Sequence, residues 1–328
     1  MEFSLVATCY NEMKGLPRWR QEILAQTRPP DEIVIVDSKS TDGTTEFLEE
    51  WARADRRLKI ICEKCKPARG HNVGNEATRC EHLVSTDMGV HIDPRWFEEI
   101  VKPFEEDNSV EVVAGSYEID RKSITSAAAR AEYYLEGGGR PKLSPGFVPG
   151  NRSMAYTKKV WRELGGLPED LTQYADDSVF GRQILQANYK MAFAPNALVY
   201  WSRPQRLKAF WAEQLKYGRG DGEAAIKTPL AFRLHQRGWL PAGWVPFLTG
   251  LRVLEKEISF ISIVRALKKA DLNALIHMPI LLFGNGYHFA LGYVQGDKRG
   301  AIYCQNCRAR LKGFEEDAVA SSAKQRPT

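Results

Sequence analysis

Little in this sequence is extreme, and each shortage removes a class of protein. The 328 residues carry 46 Lys and Arg against 41 Asp and Glu, a formal charge of only +5. That balance gives no basic stripe for a nucleic acid, and no nucleic-acid partner is expected. The opening MEFSLVATCYNE lacks both a basic start and a long apolar core, so no secretory leader is expected. Cysteine is scarce at six residues, which suits a reducing cytosolic setting better than a disulfide framework. No internal repeat is visible. With 43% hydrophobic and 27% charged residues, wholesale disorder is excluded. The length suits about two domains.

What is present is alternation. Residues 3–10 (FSLVATCY) read as a strand and 14–26 as a helix. Residues 31–37 (DEIVIVD) form a continuous apolar strand of the kind covered on both faces. A helix is expected over 41–57, opened by Thr and Asp with acidic residues in its early turns. A strand at 58–62, a helix at 71–80 and a strand at 82–86 follow. Strands alternating with helices predict βαβ units and an α/β fold. The sheet signal weakens after Gly115. From about Ser123 an Ala-rich helical stretch runs into EGGGRPKLSPGFVPG, a loop long enough to be functional. Helix and strand signals resume over 157–199. Beyond Trp201 come aromatic and basic residues with two apolar blocks, 239–254 and 274–294. The expected division is an α/β domain at 1–202, a helical apolar and basic region at 203–313, and a flexible tail at 314–328.

In parallel α/β sheets, ligands bind outside the carboxyl ends of the strands. The residues there are Tyr10-Asn11-Glu12, Asp37-Ser38-Lys39-Ser40-Thr41-Asp42-Gly43, Ala68-Arg69-Gly70-His71-Asn72 and Thr86-Asp87-Met88-Gly89. Asp37 can accept from a base N–H, and Arg69 can offset phosphate charge. Asp87 can hold a ribose hydroxyl or a divalent cation that carries a diphosphate. Singly, each reads equally well as a turn former or helix cap. Their convergence on one sheet edge carries the nucleotide reading.

With the motifs SLVATCYNE, IVIVDSKSTDGT, ARGHNVGNEA, STDMGVHIDPRWF and GNRSMAYTKKVWRELGGLPEDLTQYADDSVFGRQI, residues 3–202 resemble the large inverting family-2 glycosyltransferases of GT-A fold. The resemblance implies a three-layer GT-A-like fold with a mainly parallel central sheet. It also implies a UDP-, GDP- or dTDP-sugar donor and a glycan or lipid-linked acceptor. On it, Asp37 takes the base-reading place, with Tyr10 beside the base and Glu12 on the first loop. Ser38, Arg69 and Asn72 fall among the donor-binding residues. Asp87 matches the first aspartate of a D-x-D motif that holds Mg²⁺ or Mn²⁺, and Asp177 matches the general base. Asp176 stands where the family has glutamate, and Asn151 lies on the loop facing donor and acceptor. The stretch around Tyr217-Gly218-Arg219-Gly220 is similar to one that helps enclose the donor in bacterial polysaccharide-building members. Read alone, it is a Gly-rich helix terminus with solvated charges.

The sequence departs from that pattern in two places. Gly89 replaces the second aspartate of D-x-D, and Val199-Tyr200-Trp201 lacks the late histidine ligand. His91 or Asp93 is the substitute to consider, although Asp93 before Pro94 reads better as a helix cap. The pairs Cys62/Cys65 and Cys304/Cys307 have zinc-site spacing within each pair, but packed or free thiols fit better at their separation. The block 274–294 has the length to cross a bilayer, yet Pro279, Asn285, two histidines and three glycines argue for a helical pair lying in the interface. A buried helical subdomain is the alternative. The expected setting is peripheral, at the cytoplasmic face of the inner membrane. Two rival functions remain. A nucleotidyltransferase would need a Gly-rich first loop that ATCYNEMKG lacks. A non-catalytic sugar-nucleotide or glycan-binding scaffold is favoured only by Gly89.

Overall fold

The computed structural model describes residues 1–137 and 140–311, so the expected tail at 314–328 lies outside the described residues. Eight strands enter one sheet: β1 (Phe3–Cys9), β2 (Glu32–Asp37), β3 (Leu58–Cys62), β4 (His82–Ser85), β5 (Val90–Ile92), β6 (Val112–Ile119), β7 (Met154–Thr157) and β8 (Met191–Trp201). The helices are α1 (Leu16–Leu24), α2 (Thr44–Ala54), α3 (Pro67–Ala77), α4 (Trp96–Glu106), α5 (Ala127–Glu136), α6 (Lys158–Glu163) and α7 (Asp176–Gln186). They continue with α8 (Leu207–Ala224), α9 (Leu230–Gln236), α10 (Trp244–Glu257), α11 (Phe260–Leu267), α12 (Leu272–Tyr303) and α13 (Gln305–Arg310). The chain folds into two compact units that interleave in sequence. Among the described residues, one comprises Met1–Glu118, Arg140–Glu169 and Asp176–Trp201; the other comprises 119–137, Asp170–Ala175 and 202–311.

The sheet of the first unit has strand order β3-β2-β1-β4-β7-β6-β8-β5. β1, β2, β3 and β4 pair in parallel, as their alternation with helices requires. The later pairings, β4 with β7, β6 with β7 and β5 with β8, are antiparallel. The sheet is therefore parallel in its first half and mixed overall. β2 is buried along its whole length, which explains its unbroken apolar run. Helical spacing sets the cover: Leu16, Trp19 and Ile23 of α1 and Leu48 and Trp51 of α2 all face inward. α3 lies close on the sheet because Gly70 and Gly74 face it. A Cβ at Gly74 would stand 2.6 Å from Val6 Cγ1. α3 also begins at Pro67, earlier than expected, so Ala68–Asn72 occupy its first turns rather than a loop. Pro at the first helical position is the signal, since its missing N–H costs nothing there.

The second unit is helical. α8 and α12 approach backbone to backbone through glycines on both. A Cβ at Gly218 would meet Phe289 O at 1.9 Å, and one at Gly296 would meet Arg219 O at 2.0 Å. Larger side chains would hold the helices apart. Charge is buried beside this seam. Fully buried Glu223 accepts from Arg299 at 2.5 Å and from Thr172, and Arg203 is bound between Glu132 and Glu213. The two apolar blocks become α10 and the middle of α12. By length and composition α12 could cross a membrane. Its Gly-rich side is nonetheless spent on α8, and α10 packs on another side, as in a bundle core.

Candidate active site

The loops after β1 and β2 are stitched together by main-chain donors. The N–H groups of Asn11, Glu12 and Met13 donate to Ser40 Oγ (2.8 Å), Thr44 Oγ1 (2.9 Å) and Asp42 Oδ2 (3.0 Å). Asn11 Oδ1 accepts from the Thr41 N–H at 2.8 Å. Asn11 adopts φ 57°, a left-handed geometry that asparagine tolerates. Beneath this seam Asp37 is fully buried. Its carboxylate accepts from the Ser40 and Thr45 hydroxyls and lies 3.6 Å from Cys9 Sγ. Burial and the Asp37 charge push the Cys9 thiol well above its ordinary range, so it remains protonated. Ser38 Oγ donates to Cys65 O at 2.6 Å and accepts the Cys65 N–H at 3.1 Å. Tyr10 stands at the rim with 60% of its surface exposed.

The second feature is acidic. Asp87 follows β4, open to water but walled by protein. That crowding raises its pKa, Arg152 lowers it, and Asp177 raises it. Glu12 is raised too, first by burial and then by Asp42 and Asp87. At the start of α7, Asp176 is buried and Asp177 half-buried. Burial, the adjacent Asp177 charge and Asp87 push Asp176 far above the carboxylate range. Like charges packed this closely in a buried place favour a shared proton over two full charges. Asp177 Oδ1 accepts from the Ser178 N–H at 2.7 Å. Its Oδ2 faces the backbone of Gly150, where a Cβ would stand only 2.8 Å away. Asp87, Asp176 and Asp177 thus form one electrostatically coupled cluster.

A cation missed in the sequence faces that cluster. Arg152 lies with its guanidinium 4.0 Å from the Trp201 ring centroid and 4.8 Å from that of Tyr117. Its Nε is buried with no hydrogen-bond partner among the described residues, as is Asn151 Oδ1 next to it. Thr86 Oγ1 donates to Arg152 O at 3.0 Å, tying the turn before β7 to the end of β4. His71 of α3 is also buried. Burial drives its pKa down to about 4 against the pull of Asp177, so the ring is neutral near pH 7.

The description "Glycosyl transferase family 2" matches residues 4–162, and "Glycosyl transferase family group 2" matches residues 91–291, more than half the chain. The chain belongs to the family-2 glycosyltransferases. Similar proteins include the poly-beta-1,6-N-acetyl-D-glucosamine synthase of Staphylococcus epidermidis, 19% identical over 68% of this chain and 55% of that protein. The chain thus spans about half the length of that relative. The O-antigen chain rhamnosyltransferase WbaN of Salmonella anatum is 25% identical over 73% of this chain and 84% of its own. Among solved structures, the mannosyltransferase PcManGT from Pyrobaculum calidifontis, in complex with GDP-Man and Mn²⁺, gives a TM-score of 0.56. It is 19% identical and covers 89% of this chain and 87% of that one. S. aureus TarS 1–349 in complex with UDP gives 0.52 at 16% identity, covering 90% and 92%. These likenesses establish the GT-A fold.

On this glycosyltransferase several expected site residues prove to be otherwise employed. Asp37 and Ser38 have their polar atoms committed to neighbouring loops, so they organise the nucleotide edge from within. Arg69 is paired with Glu63 at 3.0 Å and Glu169 at 3.7 Å. Asn72 clamps the Gly165-Gly166 turn. It donates to Leu167 O and Glu169, and accepts from Trp161 Nε1 and the Leu167 N–H. His91 is held by Glu22 at 2.9 Å and Arg18 at 2.8 Å, so both its ring nitrogens have protein partners. Asp93 accepts from the Arg95 N–H in the turn before α4, but Arg95 is the N-cap of that helix, which has no side-chain cap bond. Tyr217 and Arg219 lie inside α8, within the helical unit. Tyr217 donates to Glu213, and Arg219 to Gln295. The glycines around them serve helix packing.

No group of three His, Cys, Asp or Glu suited to a metal ion occurs among the described residues. Asp87 still offers an accessible carboxylate, and Gly89 has open space around it. One protein oxygen fits a cation whose other ligands come from a diphosphate and water. The six cysteines are free thiols.

Proposed function

We propose that this glycosyltransferase moves a sugar from a nucleoside-diphosphate donor to a hydroxyl of a glycan or lipid-linked acceptor, with inversion at the anomeric carbon. The observation that carries this reading is the coupling of Asp87, Asp176 and Asp177 at the open end of the sheet, with Arg152 facing them. Asp176 is buried and Asp177 half-buried, so Asp177 is the carboxylate an acceptor hydroxyl can reach and the one to act as base. It removes the acceptor hydroxyl proton as that oxygen bonds to the anomeric carbon and the bond to the diphosphate breaks. No covalent enzyme intermediate is needed. Arg152 is held flat against Trp201 and positioned to share the negative charge of the leaving group. Arg69 pairs with Glu63 and Glu169 at the surface and would exchange those partners to take the same role. Mg²⁺ or Mn²⁺ held by Asp87 would supply further charge compensation when bound. Tyr10 offers its exposed ring to the nucleobase.

The acceptor side is read from the helical unit. It exposes the large apolar side chains of Trp244, Phe247, Phe260, Ile261, Leu272 and Ile276. This supports peripheral attachment at the cytoplasmic face of a membrane. The test is transfer from a panel of UDP-, GDP- and dTDP-sugars by the purified chain and its Asp177→Asn variant. Release of nucleoside diphosphate that the variant loses supports the reading. Binding of nucleotide sugars without turnover would favour the scaffold alternative.

A further inference from the structure

The outer side of the helical unit carries an aromatic ladder. Trp244 and Phe247 of α10 stand with ring centroids 6.0 Å apart, and Phe247 lies 5.8 Å from Phe283 of α12. Phe283 meets Tyr287 at 6.1 Å, and Tyr287 meets His288 at 5.4 Å. His288 stacks on Trp211 of α8 at 5.3 Å and 5°. Along the inner part of this ladder runs an open groove of about 550 Å³, lined by Trp211, Phe283, Tyr287, His288, Pro279 and Ile280, with Gly284 at its base. Its size falls in the ~300–1,000 Å³ range of small-molecule sites. Gly284 makes the groove, because a Cβ there would stand 2.1 Å from Trp211 Nε1 and displace the indole. The walls offer almost no polar partner, so whatever part of an occupant enters must be apolar.

The groove opens into a surface of matching chemistry. Leu272, Ile276 and Ile280 recur every fourth residue on α12, each exposed, and lead along one helix face to Phe283 and Tyr287. Between Ile258 and Asn285 the only carboxylate is Asp271, which is committed to Arg130 at 2.5 Å and to the Ala274 N–H. Lys268 and Lys269 lie exposed in the turn before α12, and Lys208 is exposed one turn from Trp211. An apolar stripe with uncompensated cations at its rim suits an anionic lipid surface.

We propose that this groove takes one aliphatic chain of an anionic membrane lipid, drawn in along the Leu272–Ile276–Ile280 stripe while Lys268 and Lys269 meet headgroups. The inference extends the membrane-contact part of the proposed function and is independent of the transfer chemistry. A single-chain phosphatidylglycerol bearing a diazirine on its acyl tail tests it. The probe is offered to the full chain as monomers and within phosphatidylglycerol vesicles, and photolabelled peptides are mapped by mass spectrometry. Label on Trp211, Phe283 and Tyr287 is expected in both formats. Ile280→Glu should reduce it about tenfold, and Ile280→Leu should retain it. Ile280 is 45% exposed, so neither variant should unfold the bundle. Leu272→Glu should weaken vesicle binding yet spare monomer labelling. Groove label from monomers without vesicle association would uphold the groove and overturn the membrane reading. Label confined to residues 260–267, or no label, would overturn the groove. So would light scattering showing a dimer whose formation blocks labelling.

Discussion

Gly150→Ala tests how the proposed base is placed without touching the base itself. A Cβ at Gly150 would stand 2.8 Å from Asp177 Oδ2, about 0.6 Å short of an ordinary contact at 3.4 Å. The loop has little freedom to retreat, because its neighbour Pro149 O already lies against Gly181 of α7 and Gly150 O accepts from the Ser153 N–H at 3.2 Å. The carboxylate must therefore move or rotate away from its Ser178 N–H partner. A misplacement of 1 Å costs on the order of 10²-fold in rate, so this shift should lower kcat roughly 10- to 50-fold. Donor KM and melting temperature should change little. Gly146→Ala, where nothing lies within 4 Å, is the control and should be silent. Steady-state release of nucleoside diphosphate is the assay. Wild-type kcat in Gly150→Ala would refute the argument that Oδ2 is fixed in its working position by this loop.

Three further outcomes follow from the cluster. Asp176 binds a proton more tightly in the folded than in the unfolded chain, so stability should fall as pH rises through its raised pKa. Asp176→Asn should flatten that fall in a pH series of melting curves and retain most activity at neutral pH, whereas an unchanged slope would place the titration elsewhere. Arg152→Gln should weaken nucleoside diphosphate binding by about 1.5–3 kcal/mol, with nucleoside binding unaffected, as calorimetry would measure. Equal losses for both ligands would mean that Arg152 acts only through folding. Gly89→Asp should fold normally, since nothing lies within 4 Å of the new Cβ, and should tighten Mn²⁺ binding in the presence of nucleotide. An unchanged metal titration would separate residue 89 from the cation.

The parallel half of the fold was readable because β1 and β2 are strongly apolar and β1 to β4 alternate with amphipathic helices. The antiparallel half was not. β5 and β7 span three and four residues, too short for a period to show. Asp87, Asp176 and Asp177 could be singled out by motif, and the fold brings them together. The partners of Arg69 and Asn72 could not be read from the sequence, because Glu169 and Trp161 come from distant segments. Arg152 was illegible for the same reason, since Tyr117 and Trp201 lie far from it in sequence. The boundary near residue 202 marks where the helical unit takes over for good, yet 119–137 and 170–175 also cluster with it. α5 packs along α12, a pairing that neither segment's own pattern announces. The Tyr217–Gly222 stretch shows how one pattern serves two readings, Gly218 and Gly222 being required by the approach of α12 and Gly220 by Tyr174.

The central claim is that Asp177 is the base of a sugar transfer. Turnover of the accepted nucleotide sugar by wild type and Asp177→Asn, measured beside nucleotide affinity, tests it most directly. The account predicts a loss of roughly 100-fold or more in turnover with affinity unchanged. Near-normal turnover in Asp177→Asn would contradict it.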